Sequence, residues 1–156
     1  MRQHHLRTDI FADYFQFYLW DPTQAPEAPT DYVEEDTQRR INTGRHVVVI
    51  CPERNYTVPV EIEVHDAEPG FDAEEWDHIA EASLHLPGGQ LQVHQCTLGP
   101  VADWEVVPGW YRVRSFHGGL GTVDGLEGND RYRVVLWPAP PSDVRVLKQW
   151  TAPVRS

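Results

Sequence analysis

The sequence has 156 residues and a formal net charge of −11, from 24 acidic against 13 basic side chains. That length suits a single domain spanning 1–156 and able to bury roughly 70% of its unfolded surface. The negative balance argues against broad binding to a nucleic-acid backbone or an anionic membrane, and it suits a basic partner.

Six Trp, six Tyr and five Phe mark a globular chain, while 13 Pro and 11 Gly divide it into pieces too short for long helices. The opening residues MRQHHLR lead into no apolar run of signal-peptide length, and the apolar stretch 46–51 is far too short to cross a membrane. Cys51 and Cys96 make no disulfide framework, so a cytoplasmic protein with reduced thiols is expected, one bridge being the alternative.

In chain order, Ile10 to Trp20 is dense in Phe, Tyr and Trp and reads as one central strand, with Phe11, Phe15, Phe17 and Leu19 on one face and Tyr14, Gln16, Tyr18 and Trp20 on the other. A proline-rich loop follows, and the polar stretch 31–42 suits a short helix or a charged loop. His46 to Cys51 reads as a buried strand. In Tyr56 to His65 the residues Val58, Val60, Ile62 and Val64 alternate inward, and Pro59 belongs at an edge or a bulge.

Gly88-Gly89 reads as the two-residue turn of a hairpin opposing Leu86 to Leu91 and Leu84 to Val93, which places His85 and His94 as diagonal neighbours on the wet face. After the stretch 100–105 come strands over Gly109–His117 and Arg131–Trp137, joined by a glycine-rich loop that reads as flexible and solvated, with partner contact as the second reading. Asp143 to Trp150 is a last strand. The expected fold is an all-β, antiparallel two-sheet sandwich of about eight strands with at most a short helix.

Chemistry is sparse. His85 and His94 with Glu81 or His65 invite a zinc reading, but no HExxH or CxxC spacing supports it, so neither metal nor cofactor is expected. Cys51 sits in an apolar strand and reads as inert. Cys96 with His94, or Ser83 opposite His94, lacks a visible orienting group and oxyanion hole, so no catalytic residue is assigned. Arg112, Arg114, Arg131 and Arg133 should share one face, either to recognise an anion or, preferably, to pair with Glu61, Glu63 and the acids of 66–77.

Three stretches together resemble the bacterial competence protein J family of DNA-entry nuclease inhibitors. They are Asp13-Tyr14-Phe15-Gln16-Phe17-Tyr18, Thr57-Val58-Pro59-Val60-Glu61-Ile62-Glu63-Val64 and Ala82-Ser83-Leu84-His85-Leu86-Pro87-Gly88-Gly89. Their order and spacing are similar over about half the chain, which departs from the pattern after Gln95 with an added strand pair. The resemblance implies a non-enzymatic inhibitor, and no catalytic residues carry over.

An acidic protein can occupy the basic cleft of a nuclease, or of a toxin met by an immunity protein, gaining on-rate from steering and affinity from a few apolar anchors. The expected contacts are Asp66, Glu68, Asp72, Glu74, Glu75 and Asp77, with Phe71 and Trp76 as anchors, together with Asp124, Glu127 and Asp130 of the glycine-rich loop. No direct contact with nucleic acid or membrane is expected, and exposed strand edges would let two copies pair. The rival readings are a carbohydrate or small-molecule binder using Tyr14, Tyr18 and Trp20, and a metal-dependent hydrolase using His85 and His94.

Overall fold

A computed structural model describes residues 2–151. The chain opens in a strand missed by the sequence reading, β1 (Arg2–Phe11), in which Ile10 is buried while Gln3, His5, Arg7 and Asp9 face solvent. So much polarity on one face hides the period of two. Its partner is β5 (Thr57–His65), where Glu61 accepts from the His5 ring at 2.6 Å and from Arg7 at 2.8 Å.

The expected single strand over 10–20 is two elements. A 3-10 turn at Asp13–Phe15 ends the run of β1, and β2 (Phe17–Trp20) begins in the other sheet. Phe17 and Leu19 are buried as expected, whereas Phe15 faces outward.

The polar stretch 31–42 yields a short helix, α1 (Glu34–Arg39), with acids in its first turn and Arg39 in its last, the order the helix dipole favours. It leads into β3 (Ile41–Gly44) and β4 (Val47–Ile50). In β5 the valine–isoleucine alternation faces the core as read, and the ladder with the parallel neighbour starts at Val60, one residue beyond Pro59.

The remaining strands are β6 (His78–Leu86), β7 (Gln90–Gln95), β8 (Gly99–Glu105), β9 (Gly109–Gly118), β10 (Arg131–Pro138) and β11 (Arg145–Lys148). One sheet has six strands in the order β1-β5-β10-β9-β6-β11; the other has five, β3-β4-β2-β7-β8. The expected eight strands are too few. The all-antiparallel expectation also fails at β5 and β10, which run parallel. Phe17, Leu19, Val48, Leu91 and Val93 of the smaller sheet join Val60, Ile62, Leu84, Val113 and Val134 of the larger in one buried apolar cluster.

The hairpin at Gly88-Gly89 is the main correction. β6 pairs with β9 and β11, and β7 pairs with β2 and β8, so the turn is a corner between sheets. Buried Asp21, just after β2, holds it there. Its carboxylate accepts from the Thr23 N–H at 2.9 Å, the Thr23 hydroxyl at 2.6 Å and the Gly88 N–H at 2.7 Å. Gly88 is required by this approach, since a Cβ would lie 2.0 Å from Thr23 Oγ1. Leu84, Leu86, Leu91 and Val93 are all buried, so the alternation was read correctly and its partners were not.

Candidate functional site

The outer face of the six-stranded sheet carries the expected arginines, and their partners decide what they do. Arg114 and Glu81 are register partners on β9 and β6. Both carboxylate oxygens of Glu81 are engaged, one by Arg112 Nε at 2.9 Å and the other by Arg114 Nε at 2.7 Å. Arg114 also reaches Glu68 at 2.6 Å, and Arg133 reaches Glu63 at 2.6 Å. Burial opposes ionisation of Glu63, yet the hydrogen bond and charge of Arg133 hold its carboxyl below the usual range. The preferred reading, pairing with the expected acids, is observed for Arg114 and Arg133, whereas Arg112 pairs with Glu81 and Arg131 turns to a backbone carbonyl and a ring. Glu81 was the partner not foreseen.

These arginines bind the segment 66–77 down across the sheet. The Arg114 guanidinium lies 4.5 Å from the Phe71 ring centroid and 4.6 Å from that of Trp137, while Arg131 lies 4.2 Å from Trp76 and donates to the Glu75 carbonyl at 2.7 Å. Trp76 is only 6% exposed, packed among Ile79, Phe116, Val135 and Trp137. It anchors the segment to its own sheet and is not available to a partner. Phe71 keeps 38% exposure. The acids divide as well, with Glu68 paired to Arg114 and Asp77 accepting from the Leu120 N–H at 2.9 Å. Asp72, Glu74 and Glu75 face solvent.

That Asp77–Leu120 bond joins the segment to the glycine-rich loop, which is fastened at several points. Leu120 is buried, Thr122 Oγ1 accepts from the Asn129 N–H at 2.8 Å, and Asp124 and Glu127 exchange backbone hydrogen bonds at 2.7 and 3.0 Å across the tip. Buried Arg54 donates to Asp130 at 2.6 Å and to the Leu126 carbonyl at 2.9 Å. Asp130 also accepts from the Tyr132 hydroxyl at 2.6 Å, and burial together with this neighbour pushes the Tyr132 phenol far up. Asp130 is therefore a buried clamp and no partner contact, because the loop needs an internal acceptor for Arg54.

Exposed at the tip are Asp124, Glu127 and, between them, Leu126 at 56% exposure. Sequence reasoning passed over Leu126, although an isolated leucine in so polar a loop was the available signal. The exposed acids therefore stand on two stretches far apart in sequence, linked at their bases by the Asp77–Leu120 hydrogen bond.

The rival chemistries lose their geometry. With β6 and β7 in different sheets, His85 stacks on Trp110 with centroids 4.4 Å apart, and His94 lies against Trp20 at 4.6 Å. The proposed diagonal pair does not exist, nor does the opposition of Ser83 to His94; the Ser83 hydroxyl instead accepts from Arg112 at 3.0 Å. Among the described residues no three His, Cys, Asp or Glu side chains converge as a metal site.

Burial pushes the Cys51 thiol up to about 11, which removes its nucleophilic form at neutral pH. Cys96 Sγ lies 3.2 Å from the Tyr18 hydroxyl. The cysteines follow the strands on either side of β2, about two strand spacings or ~10 Å apart, too far for a bridge. Tyr14, Tyr18 and Trp20 do not form one platform: Tyr18 is buried against Trp20, while Tyr14 stands out on the 3-10 turn. No helix among the described residues is long and apolar enough to cross a membrane.

No family model and no curated protein matches this chain. Among solved structures, it is similar to ComJ, inhibitor of the DNA degrading activity of NucA, from Bacillus subtilis. That match has a TM-score of 0.66 at 11% identity, covering 86% of this chain and 98% of ComJ. A second similar structure is described as crocagin biosynthetic gene J, with a TM-score of 0.52 at 16% identity over 87% of this chain and 96% of the other. The chain shares its fold with ComJ, so the resemblance read from the sequence holds at the level of fold.

Proposed function

We propose that this chain is a non-enzymatic nuclease inhibitor that acts by occupying a basic surface of its partner. The observation that carries this reading is the ComJ fold, matched over nearly the whole of that inhibitor. The chain's own chemistry is compatible. A charge of −11 would steer it to a phosphate-binding cleft, and the internal pairing of its outer-face arginines leaves the exposed acids of 72–75 and 124–127 to face a cationic partner. Phe71 and Leu126 add exposed apolar area to these two acidic stretches. The two sheets act as a sandwich scaffold for them, and we place the protein in the cytoplasm with both thiols reduced.

The test is capture from an extract of the source cells by the tagged chain at low and moderate salt, with mass spectrometry of what is retained. A basic nuclease should be held at low salt and released as salt rises. Changing Asp72, Glu74 and Glu75 together to lysine should abolish capture. Recovery of the chain alone at both salt concentrations would refute the proposal.

A further inference from the structure

The 3-10 turn at Asp13–Phe15 holds two consecutive aromatic residues in the left-handed region, Tyr14 at φ 58°, ψ 28° and Phe15 at φ 59°. Bulky side chains rarely adopt that conformation, and glycine or asparagine would hold it with less strain. The turn is closed by the Phe15 N–H donating to the Ala12 carbonyl at 3.0 Å, while the Tyr14 N–H donates to Asn55 Oδ1 at 2.8 Å and its carbonyl accepts from Gln16 at 3.4 Å. The rings themselves point outward, Tyr14 68% and Phe15 48% exposed. The fold uses this turn to pass from one sheet to the other. The turn's hydrogen bonds engage the backbone of Tyr14 and Phe15 and not their rings, so bulky residues at these two positions add strain without serving it.

Beneath the rings is a cavity of about 200 Å³ lined by Tyr14, Phe15, Gln16, Tyr32, Thr37, Asn42 and Cys51. Its lining includes no cation. The neighbouring segment carries Asp31, Glu34 and Glu35, all exposed, while Arg39 is turned onto Asp36 and Asn42.

This aromatic turn is tied to the same short segment as the tip of the acidic loop. Adjacent residues hold both projections, Arg54 the loop tip through Leu126 and Asn55 the turn through Tyr14, and half-exposed Tyr56 follows them.

We infer that the strained Tyr14–Phe15 turn and its cavity are the apolar anchor site of the inhibitor surface, receiving an apolar side chain that the basic partner presents among lysines or arginines. This inference rests on the inhibitor reading for the partner's identity. Its physical content is an exchange of stability for binding. Replacing Tyr14 with asparagine, which tolerates the left-handed region, should raise the melting temperature by about 2–4 °C. The double change Tyr14→Asn, Phe15→Asn should weaken capture by about 30-fold or more, the loss expected of central aromatic anchors.

The experiment compares the unchanged full-length chain with these variants, titrating immobilised chain against source-cell extract. It reads the DNA-degrading activity left in solution and identifies what is bound by mass spectrometry. Support requires that a basic protein be held by the unchanged chain, lost by the double variant, and that Tyr14→Asn melt no lower. Equal capture by the double variant overturns the anchor site and leaves the inhibitor reading standing. Loss of a bound basic protein that has no nuclease activity leaves the anchor standing and removes the inhibitor reading. Retention of no basic protein by the unchanged chain removes both. A lower melting temperature for Tyr14→Asn shows that the ring serves the fold and overturns the inference.

Discussion

Arg54 and Asp130, 76 positions apart in sequence, meet at 2.6 Å with the carboxylate wholly enclosed and the guanidinium side chain 9% exposed. The pair joins the segment before β5 to the end of the glycine-rich loop, and Arg54 continues to the Leu126 carbonyl at the tip. Removing one partner of a buried pair strands the other, so Asp130→Ala should cost about 3–5 kcal/mol of unfolding free energy in urea titrations. Amide exchange across residues 124–129 should accelerate as the clamp opens. A loss below about 1 kcal/mol would mean that water reaches Arg54 easily.

Asp21 and Gly88 form the corner that carries the chain from one sheet to the other. Asp21→Ala leaves the Gly88 and Thr23 donors without their acceptor, and a loss of about 2 kcal/mol follows. Gly88→Ala should be at least as damaging, because its methyl group meets Thr23 Oγ1 at 2.0 Å. Thermal melts of both variants check this, and unchanged melting of Gly88→Ala would show that the corner can shift.

Glu81 neutralises two guanidiniums inside the outer face of the larger sheet. Glu81→Ala should therefore lose about 3–5 kcal/mol. Glu68 grips the same Arg114 with a side chain 58% exposed, so Glu68→Gln should lose less than about 1 kcal/mol. Urea titrations of the two variants test the contrast.

His78 is buried and uses both ring nitrogens in its neutral form, Nε2–H donating to the Arg39 carbonyl at 2.7 Å and Nδ1 accepting from the Trp150 N–H at 3.1 Å. Burial lowers its pKa to about 4, and His117 beside it is lowered well below its ordinary value by its own burial. Between the unfolded value of about 6.5 and the folded value of about 4 the unfolded chain binds the extra proton. Stability is thus full above about pH 6.5 and falls as the pH drops towards 4, with about 3 kcal/mol attributable to His78. A His78→Gln variant can keep both hydrogen bonds without titrating, so its urea profile should fall less steeply over that window. Parallel profiles would contradict the assignment.

How much of this was legible beforehand follows from how locally each feature is encoded. The alternation of β5 and the apolar run of β4 are local and were read with their buried faces correct. The corner at Gly88-Gly89 was not, because Leu84, Leu86, Leu91 and Val93 point to the same core whether the strands pair with each other or lie in separate sheets. Only the distant carboxylate of Asp21 separates the two outcomes. The break in 10–20 was hidden because residues 13–16 contain no Gly or Pro, and the strain at Tyr14 has no sequence signature. The exposed acids 72, 74, 75, 124 and 127 were found by composition. Composition cannot distinguish an acid facing solvent from one clamped inside, so Asp130 was assigned to the wrong side, as was the ring of Trp76.

The most direct measurement of the central claim is a DNA-degradation assay on the nuclease captured by this chain, purified and titrated with the chain at fixed DNA. Degradation should stop near one chain per nuclease at low salt and return as salt rises or when Asp72, Glu74 and Glu75 become lysine. Undiminished degradation at a large excess of the folded chain would contradict the claim.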